Sequence, residues 1–199
     1  MPGFLAQKES GFTLLEVIVT VALIATLSAV SVLSLAFYVP NLRLKSAAQD
    51  ISIQIRKARL EAVRQNRRCY VEFYRTINGT TYSPFVWLDL EDEDNNPLNS
   101  AVYEPLDNDG DGIVDSLVFS LPVRLVDGEW ELTNYRGIRF DAGFGNADGV
   151  TFPLLSAPVK RFYVNSRGVS NTSGSIYLRN ARGRSREILV TLGGATRIQ

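Results

Sequence analysis

The chain has 199 residues, 21 cationic and 21 anionic side chains, no histidine and a single cysteine, Cys69. Zero net charge removes bulk attraction to nucleic acid or to acidic membrane. The lone cysteine excludes an internal disulfide and a multi-cysteine zinc site, and the lack of histidine removes the commonest general base and metal ligand.

The first element is an apolar run from Phe12 to about Leu35 that contains one charged residue, Glu16. A run of this length can cross a hydrocarbon core of about 30 Å as a helix. A carboxylate at the centre of such a span costs on the order of 2.5 kcal/mol without a partner, so Glu16 needs an explanation. A cleavable secretory signal would carry a small-residue cleavage site after about 7 to 15 apolar residues, and this run continues well past that. An ordinary anchor would have no use for Glu16.

Next, residues 41–66 read as an amphipathic helix, because Leu44, Ala48, Ile51, Ile55, Ala58 and Ala62 recur at alternating intervals of four and three. Pro40 stands between the two helical segments and is expected to bend or interrupt them, since it lacks an N–H and crowds the preceding turn.

From Arg68 onward the pattern changes to short β-rich runs at 69–74, 80–88, 117–126, 129–133, 137–140, 161–165, 175–179 and 187–192. Turn dipeptides separate several of them, among them Asn78-Gly79, Asp127-Gly128 and Arg182-Gly183. One helix followed by many antiparallel strands predicts an α+β fold, with the sheet covering the apolar stripe of the helix.

The neutral balance conceals segregation. Residues 43–68 carry eight cations against Asp50 and Glu61, residues 89–115 carry ten acids and no cation, and the chain after Lys160 is basic again. Within the acidic block, Asp107-Asn-Asp109-Gly-Asp111-Gly112-Ile-Val-Asp115 has the spacing of a calcium loop, with carboxylates at positions one, three, five and nine and glycine at the sharp turn. Position twelve is Val118, so an EF-hand is excluded. A solvated acidic turn is the alternative. Calcium, the one cofactor expected, is favoured because four alternating aspartates repel one another without a cation. In the basic block, Arg182, Arg184 and Arg186 form a cationic turn suited to phosphate, with Arg197 close to the end of the chain. A solvated or salt-bridged hairpin is the alternative there, and the zero net charge favours it. Cys69 reads as a small core residue.

The junction Gly11-Phe12-Thr-Leu-Leu-Glu16 ahead of the apolar run resembles type IV pilins and pseudopilins. Leu42-Arg-Leu-Lys-Ser-Ala-Ala-Gln-Asp-Ile, then Ala58 to Asn66, and the closing Phe162 to Gly168 and Gly174 to Gly194 resemble the GspH/FimT group of minor pseudopilins and minor pilins. The resemblance implies a leader at 1–11 cleaved after Gly11 by a prepilin peptidase, N-methylation of Phe12, and a Glu16 that faces the terminal amine of a neighbouring subunit. It divides the chain into a membrane and assembly helix at 12–39, an amphipathic half at 40–67 and a β-rich domain at 68–199, with the unrecognised stretch at about 85–158 read as an insertion. It further implies a non-enzymatic subunit at or near the tip of a type II secretion pseudopilus or a type IV pilus. Such a subunit crosses the bacterial inner membrane once, with its domain on the periplasmic side. Its expected partners are other minor and major pilins, the inner-membrane assembly platform and membrane lipid. The alternative is a DNA-binding minor pilin for DNA uptake in natural transformation. Some members do this through a terminal Gly-Arg-x-Arg element, which Gly183-Arg184-Ser185-Arg186 matches in letters but not in place.

Overall fold

The computed structural model describes residues 12–89, 117–144, 148–152, 154–156 and 159–199. The chain divides into two units, Met1–Val39 and Pro40–Gln199. Helix α1, Leu14–Gln65, passes through Pro40 without a break. Of the bend or interruption expected there, the interruption does not occur. A proline removes one hydrogen bond, the one its N–H would give to the carbonyl four residues earlier, and the turns on either side keep theirs.

Both ends of α1 are capped by their own sequence. At the start, the Thr13 hydroxyl accepts the Glu16 N–H at 3.3 Å and the Thr13 carbonyl accepts the Val17 N–H at 3.2 Å. Thr13 thereby satisfies donors that have no partner within the first turn. At the other end, Arg67 N–H bonds the Ala62 carbonyl at 3.0 Å and Asn66 N–H the Val63 carbonyl at 3.3 Å. This is a Schellman closure with Asn66 (φ 53°) in the left-handed place usually held by glycine. It turns the chain straight into the first strand.

The strands are β1 Cys69–Phe73, β2 Arg75–Ile77, β3 Thr80–Leu88, β4 Leu117–Val126, β5 Glu129–Leu132, β6 Ile138–Phe140, β7 Leu154–Ser156, β8 Val159–Val164, β9 Gly174–Asn180, β10 Ser185–Val190 and β11 Thr196–Ile198. Among the described residues they form one antiparallel sheet in the order β11-β10-β9-β6-β5-β4-β3-β1-β8-β7, with β2 paired to β3. Asn78-Gly79 and Asp127-Gly128 each place two successive residues at positive φ, the twist that joins β2 to β3 and β4 to β5 by two-residue hairpins. Within the stretch read as an insertion, β4, β5 and β6 link β3 to β9 in this sheet.

Pleat alternation sorts the β1 side chains onto two faces. Val71 and Phe73 join the predicted stripe Leu44, Ala48, Ile51, Ile55, Ala58 and Ala62, together with Phe162, Val164, Ile176, Leu178, Ile188 and Val190, in one core. Tyr70 lies on the other face in a smaller cluster with Phe85 and Trp87, and its ring stacks on Trp87 at 4.6 Å between centroids. Each fully buried Ile or Leu in the main core contributes about 1.5–3 kcal/mol. That core is what fixes the helix to the sheet.

Candidate functional site

The described part of the N-terminal unit is an apolar helix, and nearly all of its described side chains are exposed. Its apolar stretch is long enough to cross a membrane, and Phe12 is 81% exposed. The polar groups inside this stretch are satisfied locally. Thr20 and Thr26 hydroxyls donate to the carbonyls of Val17 and Leu23, and Ser28 and Ser31 to those of Ile24 and Leu27, at 2.7–2.9 Å. Those bonds remove the cost of carrying hydroxyls into hydrocarbon. Glu16 sits in the first turn, where a carboxylate also complements the positive end of the helix dipole. Gly11 lies outside the described residues.

The calcium ligands expected at Asp107, Asp109, Asp111 and Asp115 also lie outside the described residues. Among the described residues no group of three or more Asp, Glu, Cys or His is placed to hold a metal.

The cationic turn lies between β9 and β10, and Asn180 shapes it. Its side-chain oxygen accepts the N–H groups of Arg182 and Arg184 at 3.0 Å each, while its amide donates to Asn41 on α1 at 3.0 Å. Arg182 and Arg184 are exposed on this fixed turn. Arg186 alternates with Ile188 and Val190, on the side of the sheet that faces α1. Arg197 pairs with Leu189, which alternates to the opposite side. The four arginines singled out in the sequence therefore do not form one patch: two cap a turn and the other two face apart.

Cys69 is a buried thiol. Burial, reinforced by Glu61 nearby, pushes its pKa up to about 12, which makes it a poor nucleophile.

Two ionic arrangements were not legible in the sequence. On β4, β5, β6 and β9, Arg124 bonds Glu131 at 2.5 Å, and Arg139 reaches Asp127 at 3.1 Å, Glu129 at 3.2 Å and Glu131 at 3.5 Å. Arg179 bonds Glu129 in the same ladder. On the other side of β1, Glu72 is fully buried beside Arg161 at 3.5 Å and Arg75 at 3.8 Å. Burial pushes the Glu72 carboxyl above the ordinary carboxylate range, and the two guanidiniums pull it back without cancelling the effect.

That shift has a sign. Below about pH 4.5, the ordinary value, Glu72 is protonated whether or not the chain is folded. Above it the unfolded chain loses the proton first, so stability falls as pH rises, until the folded carboxyl also ionises. In urea titrations across this window, wild type should lose stability relative to Glu72→Gln with rising pH. A wild type that instead gained on the variant would mean the guanidiniums outweigh burial.

Comparison with known proteins agrees with this layout. The Prokaryotic N-terminal methylation motif matches residues 6–32, and the family model described as Type II transport protein GspH matches residues 47–194. No curated protein matches the chain. Among solved structures, the type IV minor pilin FimU of Pseudomonas aeruginosa strain PAO1 is similar in two crystal forms. The P65 form is 11% identical over 78% of this chain and 92% of that one, and the P21 form 15% identical over 81% and 90%, each with a TM-score of 0.42. Since the GspH model takes in the last part of α1 from residue 47 and the sheet up to the loop after β10, the chain belongs to the GspH family of type II transport proteins.

Proposed function

We propose that this chain is a structural minor pilin or pseudopilin, built into a secretion pseudopilus or type IV pilus at or near its tip. The observation that carries this reading is the order of parts: an N-terminal methylation motif over residues 6–32, which takes in Glu16 and most of the apolar run, followed in the chain by a GspH-family domain. The apolar helix holds the chain in the inner membrane before assembly, and its exposed surface then packs against the helices of other pilins. The β-rich domain stays outside the cytoplasm. Its work there is contact with partner subunits, and no reaction is assigned to it.

A strain lacking the chain, complemented with wild type, tests the reading through exoprotein secretion, twitching and natural transformation assayed in parallel. Loss of secretion or of twitching is expected, and normal behaviour in both would count against the structural role. A defect confined to transformation would move the assignment to DNA uptake.

A further inference from the structure

Arg43 is the first charged residue after Glu16, and the second unit of the chain begins just before it, at Pro40. At 1.5 Å per residue the helix from Glu16 to Arg43 measures about 40 Å. A bilayer with its headgroups is about 40–45 Å thick. A membrane that holds the uncharged run therefore brings its headgroups to the first turn of the second unit.

The fold gathers two loops of that unit around the same helical turn. The Asn180 amide donates to Asn41 at 3.0 Å, which ties the β9–β10 turn to α1. Arg43 donates to the Arg136 carbonyl at 3.5 Å, which brings the β5–β6 turn to the same place. These two turns continue from the paired residues Ile138 and Asn180, and a Cβ at Gly137 would lie 3.8 Å from the Cβ of Ala181. They therefore lie side by side next to residues 41–43.

Each of the three segments carries cations. Arg43 and Lys45 come from α1, Arg136 from the β5–β6 turn and Arg184 from the β9–β10 turn, and all four are exposed. Among the described residues none of the four makes an ion pair. The Arg184 backbone is fixed, because its N–H bonds the Asn180 side chain at 3.0 Å. Arg43 and Lys45 would flank a span in any fold. Arg136 and Arg184 join them only through the packing of the turns on α1.

A cation at an anionic lipid surface gains about fivefold in partitioning, within a Debye length of the headgroups. Nucleic acid offers the same phosphate chemistry. The bilayer is favoured because these cations are grouped about Asn41, within a few residues of the uncharged run, where lipid phosphates are already at hand.

We propose that Arg43, Lys45, Arg136 and Arg184 form a docking surface for anionic phospholipid headgroups, which seats the domain on the membrane before assembly. The proposal rests on the reading of α1 as a membrane helix.

The test is reconstitution of the full chain in phosphatidylcholine vesicles with trace spin-labelled lipid, read by electron paramagnetic resonance. Labelled phosphatidylglycerol should associate at least about fivefold more strongly than labelled phosphatidylcholine. Salt at about 1 M, which screens charges beyond about 3 Å, should remove the difference. Arg136→Gln with Arg184→Gln, at two exposed side chains, should lower the preference at least about twofold while Arg43 and Lys45 remain. A circular dichroism melt matching wild type would show that this variant is folded. Absence of any preference would overturn the proposal. So would a preference untouched by the two substitutions, which would leave Arg43 and Lys45 as ordinary cations flanking a span. Flotation with phosphatidylcholine vesicles reports the anchor by itself. A chain that floats without a preference overturns the lipid surface alone, whereas one that does not float removes the anchor as well. No lipid preference, together with duplex DNA binding lost in the double variant, would assign the cluster to nucleic acid instead.

Discussion

Glu16→Val should leave membrane insertion intact and reduce incorporation into filaments at least about tenfold, the equivalent of losing about 1.4 kcal/mol of contact. The structure supplies a competing local role for this carboxylate. Thr13 and Glu16 have the spacing of a capping box, the Thr13 hydroxyl accepts the Glu16 N–H at 3.3 Å, and the side chain lies in the first turn of α1. That role is worth about 0.3–1 kcal/mol through the helix dipole, and a carboxylate in the first turn does not bear the full cost of about 2.5 kcal/mol that applies at the centre of a span. A local cap and a partner outside the chain are therefore two competing accounts of this carboxylate. Glu16→Gln separates the two accounts because it keeps a side chain able to cap while removing the charge. If pairing with a neighbour's amine drives assembly, the Gln variant should fail nearly as completely as Val. Wild-type levels of the Gln variant in sheared filaments would reduce Glu16 to a helix cap.

The largest effect on stability is expected at Gly194. This residue is buried at φ +70°, and a Cβ placed on it would lie 2.5 Å from the Gly168 backbone oxygen and 3.4 Å from Cδ of Arg59. Left-handed backbone costs an L-residue about 1–2 kcal/mol. Contact at that distance with a carbonyl, which cannot swing aside as a side-chain tip does, forces one of two packed turns to move. Gly194→Ala should therefore cost on the order of 3–5 kcal/mol, a large part of the 5–15 kcal/mol typical of a folded domain. At about 2–4 °C per kcal/mol for a chain of this size, its thermal midpoint should fall by about 10 °C. Gly183→Ala is the control. It has φ +77° and nothing within 4 Å of the added carbon, so only the backbone term of about 1 kcal/mol remains. Equal losses for the two substitutions would show that the Gly168 contact is not tight.

How much of this was readable from the sequence depends on how local the signal is. The apolar stripe of α1 repeats every three or four residues within one element, and all six predicted positions are in the core. The longer strands and the two-residue hairpins announce themselves by alternation and by Asn-Gly or Asp-Gly, again within a few residues. Short strands do not. Thr196–Ile198 follows Gly193-Gly194 and reads as a tail, and it becomes β11 only because β10 offers Ile188, Leu189 and Val190 as partners. Arg75–Ile77 and Leu154–Ser156 are likewise strands by pairing with β3 and β8.

The charged sites divide in the same way. The N-terminal motif around Gly11, Phe12 and Glu16 is legible because its spacing along the chain is itself the signal, and the methylation motif matched at residues 6–32 takes it in. The Glu72–Arg161 contact joins residues on adjacent strands that are far apart in sequence, and the sequence shows Glu72 only as one polar residue among buried strand neighbours. The cationic turn illustrates the limit most clearly. Arg184 and Arg186 are two residues apart, but Arg186 faces α1 and Arg197 faces away, a separation set by β10–β11 pairing and invisible in a charge count.

The claim that this chain is a processed filament subunit is tested most directly by the intact mass of the protein recovered from sheared filaments. The account predicts a chain that begins at Phe12 and carries one methyl group on its terminal amine, so that the charge able to face Glu16 of a neighbour is present. A filament-associated chain that still begins at Met1, or that has been cut elsewhere in the apolar run, would contradict it.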